Sequence, residues 1–578
     1  MAGIYGILLN GLNHESELNL YKNFYRFRFK DTINEELKYK QNYFGRSVIN
    51  KFNDDRFLYE NDFYIVCLEG INYSKINTPQ KIIDAYKEQG SNFVKSLEGT
   101  FSGFIFSKND EELTLFTDSL STKNIYYYYD KNIGFAFSSE LHVLSKLLRD
   151  HNIPISYDYD GIYSLALYGQ MYNNFTLVKE IKKINYGTVL TFECRGSTMT
   201  TQQYYKISKN ERSQSKEEVV ESIETLMTKS IRQEWQKDRD NSYQEHLSLL
   251  SGGMDSRVNT IVAKELGFNK INAFTYGNPN SSDVKFAKEI AQDNFYSHIQ
   301  FNLQKGDFLI ENILNNYVKA TDGLTHFTAN AIIYNALSRI EKQNYGLLHS
   351  GQIGDVLFGS FLRPNYDFKN NKDKIGLTGF VKNKEMLEKM DFLDELTSKY
   401  NNSDYEVFGF EQRQINGTLM GDNVFNNFID QVSPFYNTEL LDYCLTIPNS
   451  FKINQKIYFD WLKVKHPKTL NYKWEKIGLK PNSDFNINYG RLIKKYVNGG
   501  KKYFGLRYDS MNPITNWFQA NPKLLEKFNQ IFNENIDLIQ DKELKKDLVS
   551  IYEKDIFEYR NRFAVITVLL AIKLHFKI

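Results

Sequence analysis

The stretch LSLLSGGMDSRV, Leu247 to Val258, constrains the fold of this chain more than any other segment. An apolar run of strand character stops at Ser251-Gly252-Gly253, and an amphipathic run opens at Met254. Adjacent glycines let a backbone approach a ligand that a Cβ would exclude. A helix opening directly behind them points unpaired N–H groups at that ligand, so the unit predicts an anion site, most naturally for phosphate. Asp255 is placed to hold Mg²⁺ against the phosphate, because a hard cation prefers carboxylate oxygen. A plain glycine turn is the competing reading, and the Asp255-Ser256 pair that follows weighs against it.

The surroundings extend this unit into a domain. INAFTYG (Ile271–Gly277) and YGLLHSG (Tyr345–Gly351) are further apolar strands, each preceded by a helical pattern. Alternating strands and helices predict a parallel, doubly wound sheet with its ligand beyond the strand C-termini. From about Asp367 the pattern is mostly helical. The first 205 or so residues read differently. DFYIVCLEGI, GTFSGFIFS, ELTLFTD, NIYYYYD, IGFAFSSE and YGTVLTFE, between Asp62 and Glu193, are β-branched and aromatic runs separated by turn residues. Lys206–Glu218 has no apolar period and reads as a linker; from Glu217, EEVVESIETLMTKSIRQEW has the spacing of an amphipathic helix.

Composition narrows the function classes. With 72 basic and 70 acidic residues, the net charge of +2 offers no electrostatic reason for a nucleic-acid or membrane partner. Cys67, Cys194 and Cys444 show no paired spacing, which argues against a disulfide framework or zinc site and for a cytoplasmic setting. The run FAVITVLLAI (Phe563–Ile572) is about half the ~20 residues a membrane span needs, so it reads as a buried helix. No secretory signal pattern opens the chain.

The Ser251–Ser256 loop resembles the pyrophosphatase loop of ligases that adenylate a carboxylate, cleaving ATP between its α and β phosphates; the GxxxxGK of a Walker loop is absent. Further segments resemble the asparagine synthetase family in order and spacing. INAFTYGNPNSSDVKFAKEIA resembles that family's second strand and its S-x-D-x-x-A segment, which places Phe274 and Thr275 near the adenine and Asp283 at the acidic position. LLHSGQIGDVLFGSF resembles the SGEGSDEVFGGY loop through Gly351 and Asp355. SPFYNTELLDYCLTIP and NQKIYFDWL resemble the PFLD helix entry and the helix after it. The resemblance implies ATP and Mg²⁺ as cofactors, with Asp255 and Asp355 as the Mg²⁺ carboxylates. It implies Leu249, Ser251, Gly252, Gly253, Asp255, Ser256, Phe274, Thr275 and Gly351 as the nucleotide site, and Asp355 and Lys456 as catalytic, Lys456 stabilising transition-state charge. Asp283, Gln352 and His326 are candidates for the substrate pocket; His298, His326 and His349 are not expected to bind metal.

The implied fold is α/β and α+β in two domains. An N-terminal Ntn-hydrolase-like αββα sandwich, glutaminase-like but degenerate, covers 1–208. An adenine nucleotide α hydrolase-like parallel sheet with added helices covers 209–578. The degeneracy lies in MAGIYGILLN, where Ala2 replaces the family's nucleophilic cysteine and no thioester with glutamine can form. The RHRGPD loop is not apparent between Tyr25 and Ser47, NGEIYN appears as LEGINYS, and the GSD aspartate is missing. Gln352 stands where the family places a glutamate thought to deprotonate ammonia, and a glutamine cannot act as that base. Val432 and Asn437 replace an arginine and an aspartate around PF. Family members lacking the cysteine resemble lasso-peptide cyclases and β-lactam synthetases. The expected activity is therefore amide formation on an amine already carried by the substrate, with peptide macrolactam closure favoured. The partners would then be a peptide or small carboxylate, with leader-binding or protease proteins. The alternatives are an amide ligase using ammonia or an amine on a small or sugar acid, and a non-catalytic binding homologue.

Overall fold

A computed structural model of the 578-residue chain describes residues 3–10, 19–25, 31–303, 305–311, 313–326, 330–362, 375, 379–380, 386–401, 404–503, 510–554 and 559–576. Two antiparallel six-stranded sheets form the N-terminal part. The first combines β1 (Ile4–Leu9), β2 (Thr32–Tyr39), β3 (Asn42–Ile49), β8 (Tyr126–Asp130), β9 (Gly134–Ser138) and β10 (Ile181–Lys183) in the order β10-β8-β9-β1-β3-β2. The second combines β4 (Phe57–Glu60), β5 (Tyr64–Asn72), β6 (Gly99–Ser107), β7 (Glu112–Thr117), β11 (Thr188–Glu193) and β12 (Thr198–Gln203) in the order β12-β11-β7-β6-β5-β4.

Strand alternation explains why both faces of these sheets are apolar. Ile4 and Leu8 of β1 point between the sheets, where they meet Phe104 and Phe106; Tyr5, Ile7 and Leu9 point the other way. That outer face is covered by α2 (Leu141–Asp150) and α3 (Tyr159–Tyr168), while α1 (Pro79–Gln89) covers the second sheet. Rings bridge the inner layer, with Phe44 stacked on Phe104 at 5.4 Å and Phe135 on Phe192 at 4.9 Å. The result is the αββα sandwich of the Ntn-hydrolase type.

After β12 the chain enters α4 (Lys216–Asp240), which begins inside the segment expected to be linker. Ser215 and Glu218 close a capping box there, and that local signal explains the earlier start. The second half is a five-stranded parallel sheet of β13 (His246–Leu249), β14 (Ile271–Gly277), β15 (Ser297–Asn302), β16 (Leu348–His349) and β17 (Gln431–Val432), ordered β15-β14-β13-β16-β17. From β13 the chain runs through α5 (Met254–Glu265), β14 and α6 (Ser282–Asp293) to β15, then returns to the other side of β13 as β16. The strand order therefore reverses between β13 and β16. A crevice opens there at the strand C-termini.

Helices fill the remainder. Phe563 to Ile572 lies in the helix Arg560–Phe576 and is buried against α3 and its neighbours. Among the described residues no helix is long and apolar enough to cross a membrane. A π-helical stretch, Gly409–Leu419, runs beside the crevice.

Candidate functional site

The loops after β13 and β16 face each other across the crevice. Ser251 Oγ accepts from Gly253 N at 3.1 Å, and Ser256 Oγ accepts from Ser251 N at 3.1 Å, so the two serines hold the glycine loop in shape. A Cβ on Gly351 would lie 2.3 Å from the Asp255 carbonyl carbon and the Ser256 nitrogen, so only glycine lets the second loop reach the first. A Cβ on Gly252 would lie 2.9 Å from the Cα of Asp283, the second residue of α6. The α5 N-terminus is thus flanked by close backbone contacts on both sides.

The close approach brings two carboxylates together. Asp255 Oδ2 accepts from the backbone N–H of Asp355 at 2.9 Å, and its Oδ1 accepts from Tyr458 OH at 3.0 Å. Burial, reinforced by the charge of Asp355, pushes the Asp255 carboxyl up to about 7. Such a pair is short of positive charge. It fits a divalent cation, whose oxygen ligands would be these carboxylates and the phosphates of a nucleotide.

The cation already at the pair is Lys476, whose Nζ lies 3.1 Å from Asp355 Oδ2. Nothing in its local sequence marks it. It arrives because Arg257, fully buried in α5, donates to the carbonyls of Thr469, Tyr472 and Lys473 at 3.1, 3.2 and 2.7 Å, and to Gly252 O at 2.9 Å. One guanidinium thus clamps the Thr469–Lys473 backbone to the phosphate loop, and the Glu475 N–H adds a bond to Gly252 O at 3.3 Å. Lys456, expected in the catalytic role, is instead an exposed residue opening the helix Lys456–Lys465, and its charge acts on Asp484. The lysine that this geometry brings to the carboxylate pair is therefore Lys476.

The other expected residues divide. Leu249 ends β13 half-buried, and Thr275 Oγ1 donates to Leu250 O at 2.8 Å while meeting His298 Nε2 at 3.0 Å. Phe274 is entirely buried, packed on Phe301 and Tyr276, so its ring belongs to the core. Gln352 and His326 do line one cavity of 430 Å³, whereas Asp283 is not among its lining residues. His326 Nδ1 donates to Gly169 O at 2.9 Å, and burial pushes its imidazole down to about 4, so it is neutral. Ala2 lies outside the described residues. The histidine pair His246 and His349 converges on Asp238 Oδ2 at 2.8 and 2.9 Å. Those are hydrogen-bond separations, whereas ligands around a zinc-sized ion stand ~3.3 Å apart, so this buried triad ties α4 to the sheet.

Two family models match the chain: one described as glutamine amidotransferase domain over residues 74–205, and one described as asparagine synthase over residues 232–417. Residues 74–205 are thus similar to a glutamine amidotransferase domain and residues 232–417 to asparagine synthase. The glutamine-hydrolyzing asparagine synthetase B of Escherichia coli (strain K12) is 24% identical over 297 residues, 49% of this chain and 46% of that one. The glutamine-hydrolyzing asparagine synthetase 2 of Oryza sativa subsp. japonica is 23% identical over 330 residues, 55% and 48% of the two chains. In these matches the chain spans about half the length of its asparagine synthetase relatives. A solved structure, that of the allosteric regulatory enzyme of purine biosynthesis, matches 45% of this chain and 76% of that one at 9% identity with a TM-score of 0.20, too low to bear on the fold.

Proposed function

We propose that this chain is an asparagine synthetase-family, ATP-dependent carbon–nitrogen ligase that adenylates a carboxylate and joins it to an amine without hydrolysing glutamine. The observation that carries the proposal is the Asp255–Asp355 pair with Lys476 at the switch point of the parallel sheet. Mg²⁺ held by the two carboxylates would neutralise triphosphate charge. The chain's own groups do the rest. The α5 N-terminus and the Ser251–Gly253 loop receive the leaving pyrophosphate, and Lys476 faces the charge that develops as the substrate carboxylate attacks the α-phosphate.

Support for glutamine independence comes from the N-terminal sandwich. Besides Ala2 at the nucleophile position, the Asn72 side chain is used up in a turn, donating to Ile76 O at 2.8 Å and accepting from Ser74 N at 2.9 Å. The Asn72 amide is thus committed to that turn. Arg46 is buried in an ion pair with Glu35.

A substrate that brings its own amine makes ammonia unnecessary, and positioning alone lends such a step much of its rate. Peptide macrolactam closure is the favoured case. A 580 Å³ cavity lined by Asp355, Arg413 and Lys476 shares Gln352, Phe380, Thr418 and Arg560 with the 430 Å³ cavity, which gives room for an extended acid and its amine. The test is ATP–pyrophosphate exchange against aspartate, uronic acids and Asp- or Glu-containing peptides, with products followed by mass spectrometry. Exchange with one of these acids, loss of it in Asp255→Ala, and no glutamate released from glutamine are expected; glutamate release would overturn glutamine independence.

A further inference from the structure

The 430 Å³ cavity contains an acid that the adenylation chemistry does not use. Asp422 lines it, 6% exposed, at the end of the helical turn Met420–Asp422 that continues from the π-helical stretch. Its Oδ1 accepts from Gln352 Nε2 at 3.0 Å and its Oδ2 from Tyr436 OH at 3.0 Å. Tyr436 OH in turn accepts from Gln431 Nε2 at 3.2 Å, and Gln431 Nε2 donates to Ser350 Oγ at 2.7 Å. All these partners are neutral, and among the described residues none forms an ion pair with Asp422. Burial accordingly pushes the carboxyl up to about 7, with the bonds from Tyr436 and Gln352 opposing. The titratable or charged groups around it are Tyr436, Tyr276 at the end of β14, neutral His326, and Arg560 across the cavity.

The position matters as much as the chemistry. Gln352, bonded to Asp422, is three residues from Asp355 and lines both cavities. A nitrogen bound beside Asp422 therefore faces an acyl group activated over Asp355 and Lys476. An amine enters such a site as its ammonium ion and must lose a proton to attack, and a carboxylate titrating near neutrality suits that transfer.

We propose that Asp422 is the general base of the amide-forming half-reaction and that the cavity around it binds the primary amine or ammonium nucleophile. The proposal rests on the ligase function inferred above. As nitrogen attacks the acyl carbon a C–N bond forms, the acyl C–O bond to AMP breaks, and AMP leaves with the electron pair. Asp422 takes the ammonium proton that must leave before attack, and the second N–H proton, lost as the adduct collapses to the amide, passes to the phosphate of the departing AMP or to solvent. Gln352 and Tyr436 are positioning residues that aim the two oxygens.

The two half-reactions separate this role from a structural one. With the acid that drives exchange in the wild-type chain, Asp422→Asn should keep ATP–pyrophosphate exchange within about threefold. It should lower amide or lactam formation by about 100-fold or more, the usual weight of a general base. Hydroxylamine, already unprotonated at neutral pH, should still be converted to the hydroxamate by this variant, and Asp422→Glu should recover part of the amide product. Amide formation at the wild-type rate in Asp422→Asn would overturn the proposal. So would loss of exchange together with amide formation in both variants, which would place Asp422 in adenylation or in the fold. Absence of exchange with every acid in the wild-type chain would instead overturn the ligase function, and this role with it.

Discussion

At the residue scale, the site turns on charges that the fold leaves short of partners. Lys476 is the cation at the Asp255–Asp355 pair. Replacing it with alanine should lower ATP–pyrophosphate exchange by roughly 100- to 1,000-fold, as removal of one preorganised charge-stabilising donor does elsewhere. Lys456→Ala, at an exposed position, should leave exchange within about twofold; the paired measurement decides between the two lysines. Asp422 offers a second check through stability. Its folded value of about 7 lies above the ~3.9 of an unfolded aspartate. The native chain therefore binds that proton more tightly, and its stability falls as pH rises from about 4 to 7. Asn carries no such penalty. Denaturant titrations should show the unfolding free energy of Asp422→Asn gaining on wild type between about pH 5 and pH 8, and a pH-independent difference would contradict a buried, unpaired carboxyl. Asp255 and Asp355, which the fold brings together, were legible in the sequence because each sits in a glycine-marked loop. Lys476 was not, because WEK in an irregular segment carries no local sign of what it touches.

At the scale of elements, β13, the glycine loop and α5 follow from local pattern: an apolar run, a break and a helical period. Strands β16 and β17 are two residues each, too short to show a period of two, so the far side of the crevice could be read only in part. Phe274 shows what position along a strand leaves open. A strand buried on both faces sends even its ligand-end residues into the core, and position along β14 alone does not say which side chain meets the ligand. The clamp by Arg257 is the least legible feature, since an arginine in the first turns of a helix reads as solvated. Arg257→Leu would strand carbonyls at Thr469, Tyr472 and Lys473 and leave Gly252 O with the Glu475 N–H alone. Taking ~1 kcal/mol for each buried acceptor left without its donor, the loss should be about 3 kcal/mol. Exchange should fall with it, because Lys476 is then no longer held. A Lys476 site that survives Arg257→Leu with unchanged kinetics would show that the clamp does not position it.

At the scale of the molecule, the sandwich and the parallel sheet are joined through buried charge. Asp430, just before β17, pairs with Arg56 of the sandwich and, at 2.5 Å, with Lys123, which also donates to Asn426 at 2.9 Å. Burial opposes ionisation of Asp430, yet the two cations hold its carboxyl far below the usual range. Asp430→Ala would leave Lys123 buried without an ion pair and Arg56 with Glu69 alone, at a cost of about 3–5 kcal/mol, and the two halves should then unfold in separate calorimetric transitions. The sandwich serves as this packing partner whether or not it grips glutamine. The claim that unites these scales is that the chain activates a carboxylate with ATP and takes its nitrogen from an amine rather than from glutamine. The most direct measurement is ATP–pyrophosphate exchange over the acid panel, run with and without glutamine and with glutamate release followed in the same samples. Exchange that needs an acid, Mg²⁺, Asp255 and Lys476, is unchanged by glutamine and releases no glutamate is the predicted result. Glutamate released in step with AMP would contradict it.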